Sequence, residues 1–274
     1  MPVFPPVTAL QRGLDVLRAV NRLRRATVAD VLHEVDLPRT TLVRMLDTLE
    51  AEGFISRDGR HYMPTGRVLL LSNGFQAHER VMQIADPILA ELRLQVGWPS
   101  DVAIPDGDGM LIAVTSRPFD DLLLKRRVGA RAPMLASALG RAYLAACPTE
   151  RRDEIIASLA KSGYAFDRLA ANRPALLGLL AQTRQRGYAV PDDAYSKAVY
   201  HSATSGFAIP IVMHGKAMGS INLAFLTSTI RIGEAVSSFL PALRDAAGRI
   251  GAGLEADLGS AAPAASPRRS SRRD

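Results

Sequence analysis

The first 66 residues hold two short helical stretches broken at a proline, then a hairpin turn, and few small folds accommodate that order. Leu10, Leu14, Leu17 and Val20 recur at steps of four and three, so they form one apolar stripe on a first helix, with Gln11, Arg12, Arg18 and Arg22 off it. A second helix starts at Thr27, whose hydroxyl can form a capping box with Asp30 ahead of Val31, Leu32 and Val35, and it stops near Asp36. Pro38 opens a third, because the N–H it lacks has no partner in a helix's first turn. On that third helix Leu42, Met45, Leu46 and Leu49 share one face, Thr40, Arg44, Asp47 and Thr48 lie on or beside the other, and Gly53 ends it.

Two helices about a three-residue turn apart, the second displaying hydroxyls and arginines at its start, meet the needs of reading a DNA major groove. A helix N-terminus favours phosphate, Thr bonds phosphates or base edges, and Arg can grip guanine with two hydrogen bonds. Arg39, Thr40, Thr41 and Arg44 are therefore candidates, with Arg12 and Thr27 beside them. An ordinary helical hairpin with a solvated polar face would share these helices. What argues against it is the next segment: Phe54–Ser56 and His61–Met63 flank Arg57-Asp58-Gly59-Arg60, where Asp-Gly signals a tight turn. A hairpin directly after a recognition helix is a wing, and Arg57 and Arg60 near its tip either reach phosphate or the minor groove or only solvate the turn.

Charge supports this without locating it. The net charge is +7, yet residues 1–66 hold nine arginines against eight acids, and Arg268, Arg269, Arg272 and Arg273 place much of the excess in the tail. The 274 residues suffice for two cores, and 47% apolar with 22% charged residues is ordinary for a folded soluble protein. No run is long and apolar enough for a membrane helix, the start has no signal-peptide pattern, and a cytoplasmic protein without membrane attachment is expected. The single Cys147 has no disulfide partner and reads as a packed side chain. His33, His61, His78, His201 and His214 show no metal spacing, and neither a nucleophile elbow nor a dinucleotide fingerprint is present. No catalytic residue, metal or cofactor is assigned, and an enzyme is the weaker alternative.

Beyond residue 66 the pattern is mixed. A short connecting helix leads to a longer one, loosened by Asn73-Gly74 and Pro87. Residues 101–116 read as two strands joined at Asp106-Gly107-Asp108-Gly109, and 122–128 as a further strand. Helices follow at 137–147, 150–161 and 173–187, then a hairpin over 204–225 about His214-Gly215, then a helix from Ile230 to Leu258. The implied class is α+β, an antiparallel sheet flanked by helices. Residues 259–274 form a low-complexity basic tail, expected to be disordered.

Three stretches, VTALQRGLDVL, TVADVLHEVDLPRTTLVRMLDTLEAEGFI and HYMPTGRVLLLSNGF, together resemble the IclR family of bacterial regulators. VGARAPMLASALGRAYLA, RGYAVPDD and GFAIPIVMHGKAMGSINLAF extend the resemblance to about residue 258. It implies a winged helix-turn-helix over 7–66, a connecting helix over 67–80 and a GAF/PAS-like effector-binding domain over 81–258. It also implies a dimer or tetramer on double-stranded operator DNA. VGWPSDVA, the Asn222-Leu223 pair and LPALRDAAGRI are most similar to regulators of hydroxyphenylpropionate and related aromatic-acid breakdown, implying an activator of a catabolic operon that answers to an aromatic carboxylate. A repressor relieved by a small organic acid, and a ligand-binding protein without DNA function, are the alternatives. Carried over by position, the family's effector site falls on Ala138, Leu139, Asp192, Gly206, Asn222 and Ala224. Several relatives have cysteine in place of Gly206 and serines in place of Asn222 and Ala224, implying here a roomier, less polar pocket. A carboxylate needs donors, which the helix start near Ser137, the Asn222 amide or Arg131 can supply, while Trp98, Met134 and Phe207 either form apolar walls or pack the core.

Overall fold

A hydroxyl and a carboxylate three residues apart set the second helix of the N-terminal unit. In the computed structural model, which describes residues 4–71, 76–117 and 128–260, the Thr27 hydroxyl accepts the Asp30 N–H at 3.4 Å. The Asp30 carboxylate in turn accepts the Thr27 N–H at 2.8 Å, the expected capping box. These bonds, that from the Thr27 backbone foremost, hold the Asp30 carboxyl below the usual carboxylate range. The chain divides into two compact units between Gln76 and Ala77.

The first unit contains α1 (Thr8–Leu23), α2 (Val28–Leu32), α3 (Arg39–Ala51), the hairpin β1 (Ile55–Asp58) and β2 (His61–Pro64), and a 3-10 turn at Gly66–Leu71. Helix α2 ends a turn before the sequence suggests, because Glu34 N–H bonds back only three residues, to Val31, and tightens the chain. Val16, Ala19, Val20, Ala26, Val31, Leu42, Leu46, Ile55 and Tyr62 form the core. The expected stripe on α1 is only half right: Leu10 and Leu14 are 63% and 40% exposed, and the residues α1 buries all lie in its second half. Asp58 pairs with His61 across the wing turn, and an isolated bridge between Ala26 and Tyr62 ties the hairpin to the segment before α2.

The second unit is built on an antiparallel sheet, in the order β5-β4-β3-β7-β6. Its strands are β3 (Ser100–Asp106), β4 (Gly109–Thr115), β5 (Arg131–Pro133), β6 (Thr204–Met213) and β7 (Lys216–Leu226). Helices α4 (Gln76–Val96) and α9 (Ile232–Ser260) cover one face, burying Val102, Val114, Phe207, Ile209, Ile221, Leu223 and Phe225. Helices α5 (Ala138–Ala146), α6 (Thr149–Leu159) and α7 (Arg173–Arg186) pack on the other over Ala103, Met110, Ile112 and Ala208.

Several boundaries differ from expectation. The connecting helix becomes the 3-10 turn and the start of α4, with 72–75 between them outside the described residues. The strand expected at 122–128 lies outside them except for Val128, which is in a turn, and Arg131–Pro133 is what pairs with β4. The tail is likewise outside them from residue 261, and α9 continues two residues into the segment assigned to it. Two elements were not anticipated, a 3-10 segment at Ala165–Ala171 and α8 (Asp193–Tyr200). The latter is short, and its signal is the Asp192 carboxylate, which accepts the N–H groups of Ala194 and Tyr195.

One irregularity governs the chemistry. The β3–β4 register shifts between Val102 and Ala103, which face Val114 and Ile112, so Ala113 is an extra residue in β4. Strand side chains alternate, and one inserted residue reverses the sides thereafter. Met110 and Ile112 therefore face α5, Val114 faces α4 and α9, and Thr115 returns to the α5 side.

The close seating of α5 yields a stability test. A Cβ at Gly140 would lie 2.1 Å from the Met134 carbonyl oxygen. Gly140→Ala is expected to destabilise the second unit by about 1–3 kcal/mol through overpacking, despite the better helix propensity of alanine. Chemical denaturation followed by circular dichroism checks this; an unchanged or raised midpoint would contradict the packing described.

Candidate functional site

Two surfaces carry chemistry, one in each unit. On α3, Leu42 and Leu46 are fully buried while Arg39, Thr40 and Arg44 are exposed and Thr41 is half-buried. The amphipathic pattern thus fixes the helix by its leucines and turns its hydroxyl-arginine side outward. Arg39, Arg44 and Arg60 have no acidic partner among the described residues, nor has the exposed Arg12. Other arginines are occupied: Arg18 with Asp15, Arg22 with Glu34, and Arg25 with Asp58. Arg57 is held by its own hairpin, its Nε donating to the Gly59 carbonyl at 3.0 Å and its guanidinium lying over the Tyr62 ring. The Thr27 hydroxyl is committed to its cap, which leaves it a structural part to play.

In the second unit a cavity of about 40 Å³ opens on the α5 side of the sheet, lined by Arg117, Ala138, Pro191, Ser196, Tyr200, Thr204, Ser205, Gly206, Asn222 and Ala224. Strand alternation brings Gly206, Asn222 and Ala224 to this face, and Ala138 comes from the first turn of α5. Behind the lining, Asp101 is fully buried. Its carboxylate accepts from the Thr115 hydroxyl at 2.7 Å, from Arg117 Nε at 3.0 Å and Nη2 at 2.8 Å, and from Asn222 Nδ2 at 3.1 Å. Asn222 Oδ1 also accepts the Asp101 N–H at 2.7 Å. The third guanidinium nitrogen, Arg117 Nη1, is buried with no partner among the described residues.

The structure thus brings Ala138, Gly206, Asn222 and Ala224 together and sends the other expected residues elsewhere. Phe207, next to Gly206, points to the opposite face, where Trp98 meets Phe225 edge-on. Met134 and Leu139 are fully buried in the core under α5 and do not line the cavity. Asp192 caps α8 and pairs with Arg141 at 2.9 Å, fastening the loop to α5. Arg131 sits at the sheet edge beside a separate cleft of about 230 Å³, bound to Asp106 and Asp108. That cleft is larger, but its guanidinium is already neutralised by two carboxylates, whereas Arg117, which lines the sheet cavity, has a buried nitrogen without a partner among the described residues. The roomier pocket expected from Gly206 is not found. A Cβ there would lie 2.3 Å from the Leu223 carbonyl oxygen, so the glycine serves close strand approach, and the cavity is small, with polar and apolar groups mixed in its lining.

Arg117, Ser196, Tyr200 and Thr204 were missed from sequence. Burial pushes the Cys147 thiol up, away from the reactive thiolate, in keeping with a packed side chain. No group of His, Cys, Asp or Glu able to hold a metal occurs among the described residues, and no described helix is long and apolar enough to cross a membrane.

A winged helix with an outward arginine-threonine face, on one chain with a sheet-based domain that carries a cavity, is the architecture of a DNA-binding regulator. Comparison with known proteins agrees. The IclR helix-turn-helix domain model matches residues 9–59, and the model of the bacterial transcriptional regulator IclR C-terminal domain matches residues 76–252. The chain belongs to the IclR family of transcriptional regulators, which are not enzymes. It is 27% identical over 240 residues to the Pca regulon regulatory protein of Pseudomonas putida, covering 86% of this chain and 80% of that one. It is 26% identical over 201 residues to the transcriptional repressor IclR of Escherichia coli, covering 71% and 73%. Among solved structures, a chain from Rhodococcus sp. RHA1 superposes with TM-score 0.63 at 26% identity, covering 93% of this chain and 99% of that one. An IclR homologue from Microbacterium hydrocarbonoxydans complexed with 4-hydroxybenzoate has TM-score 0.64 at 23% identity, covering 90% and 99%.

The two surfaces separate in mutagenesis. Arg44→Ala is expected to lower affinity for genomic DNA fragments that the wild-type chain selects by about 1–3 kcal/mol, leaving the melting of the second unit unchanged. Fluorescence anisotropy checks this, and wild-type affinity would remove Arg44 from the interface. Asn222→Leu breaks both bonds to Asp101, so thermal denaturation should show a lower midpoint of the second unit; an unchanged midpoint would contradict the network.

Proposed function

We propose that this regulator reads an operator with Arg39, Thr40, Thr41 and Arg44 in the major groove and Arg60 at the phosphate backbone, and that a small aromatic carboxylate in the sheet cavity controls it. The observation that carries the DNA reading is the α3 surface, where Arg39, Thr40 and Arg44 are exposed over buried Leu42 and Leu46. Arg12 and Arg57 flank it as secondary backbone contacts. Self-association as a dimer or tetramer would set pairs of recognition helices on half-sites roughly 34 Å apart, one turn of DNA, or a multiple of it.

An aromatic acid is supported by the relative named for the Pca regulon and by the neighbour in complex with 4-hydroxybenzoate. The cavity's size bears on mechanism. About 40 Å³ is far below the roughly 300 Å³ from which ligand pockets usually start. A ligand of this kind therefore favours an arrangement in which the cavity is wider, and that differential affinity is what shifts an equilibrium between DNA-bound states. The sign of regulation has two readings. The resemblance to aromatic-acid regulators favours activation of a catabolic operon, while relatives named as repressors, the acetate operon repressor among them, favour release of DNA by ligand.

Gel shifts of the full chain on its own upstream DNA, across a salt series and with or without 4-hydroxybenzoate, test this. The expected result is sequence-selective, salt-sensitive binding whose affinity the acid changes by about 5- to 150-fold, loosened for a derepressed system and tightened for an activated one. Binding without sequence preference would overturn the operator reading, and affinity indifferent to the acid would overturn the effector reading.

A further inference from the structure

We propose that Arg117 selects the charge of the ligand, its Nη1 donating to a carboxylate in the sheet cavity. This rests on the effector reading above and names the group that performs it. The guanidinium has three nitrogens and Asp101 occupies two, Nε at 3.0 Å and Nη2 at 2.8 Å. Arg117 is one of the residues lining the cavity, and its third nitrogen is buried and without a partner among the described residues. A buried donor on a charged group is costly to leave unsatisfied, so an acceptor brought by a ligand gains more here than at an exposed arginine. Neutralising Asp101 needs only one fork of the guanidinium. What the arginine adds over a lysine is a second, fixed direction of donation.

The arginine itself is held in place. Asp101 is the anchor, and Thr115 and Asn222 fix the anchor through its carboxylate oxygens, with Asn222 also accepting the Asp101 N–H. These three are positioning residues and Arg117 the one that meets the ligand. Because the Arg117–Asp101 pair is neutral overall, a carboxylate adds a net negative charge. The start of α5 at Ala138, where the helix presents its positive end, and the hydroxyls of Ser196, Tyr200 and Thr204 share the cavity and offset it. Arg131 cannot do this work, being paired with Asp106 and Asp108 beside another cleft.

Calorimetric titration of the full chain with 4-hydroxybenzoate and with its uncharged analogue 4-hydroxybenzamide tests the proposal. The wild type is expected to bind the acid at least about ten-fold more tightly than the amide. The double variant Asp101→Asn/Arg117→Met removes the ion pair without stranding either charge, and Arg117→Lys keeps the charge beside Asp101 without the second fork. Each is expected to lose about 10- to 100-fold on the acid and most of the acid–amide discrimination, with a cooperative melt retained. Folded variants that bind the acid as the wild type does would overturn the role of Arg117 and leave the effector reading standing. Equal wild-type affinity for acid and amide would overturn it without any variant. A wild type that binds neither compound would overturn the aromatic-acid reading and this proposal together.

Discussion

A carboxylate with no access to water must be met by donors, and Asp101 is such a group in the middle of the sheet. Removing one partner of a buried ion pair costs about 3–5 kcal/mol, so the surroundings of Asp101 are tightly specified. Thr115 has to return to the α5 side, which the extra Ala113 in β4 accomplishes. Arg117 must then fold back over the same face, and Asn222 must occupy the facing position of β7. The cavity is what remains where this polar cluster interrupts the apolar packing between sheet and α5.

Much of the fold was legible because its signals are local. The Thr27–Asp30 box, Pro38 before α3, the Asp-Gly turn and the 204–225 hairpin each act within a few residues, and each is where the sequence puts it. The cavity was legible only in part. Gly206, Asn222 and Ala224 alternate along strands and fall on one face, but the same alternation sends Phe207 to the other. Arg117 escaped because period-two counting from Met110 and Ile112 puts it on the wrong side, and only a register shift against a distant strand reverses that. Its partner also lies sixteen residues earlier, beyond the reach of a local pattern. Asp192 and Arg131 were the converse, charges that suggest a ligand but are satisfied by the chain's own groups.

The DNA-reading unit shows how a small core constrains a surface. With Leu42 and Leu46 fully buried, the rotation of α3 is fixed, and the exposure of Arg39, Thr40 and Arg44 follows rather than being chosen separately. Acidic residues elsewhere in the unit are matched to other arginines, Asp15 with Arg18, Glu34 with Arg22 and Asp58 with Arg25. A near-neutral unit thereby presents two arginines, without acidic partners among the described residues, on the first half of α3, which bulk charge could not reveal.

Control by an acid depends on its carboxylate meeting the unused Nη1 of Arg117, a residue of the sheet cavity's lining. A crystal structure of the full chain grown with 4-hydroxybenzoate examines that contact directly. The expected density has a carboxylate oxygen within hydrogen-bond distance of Arg117 Nη1, the Asp101 bonds intact and the space between sheet and α8 enlarged. Ligand density in the edge cleft beside Arg131, or in the cavity with its carboxylate turned away from Arg117, would contradict it.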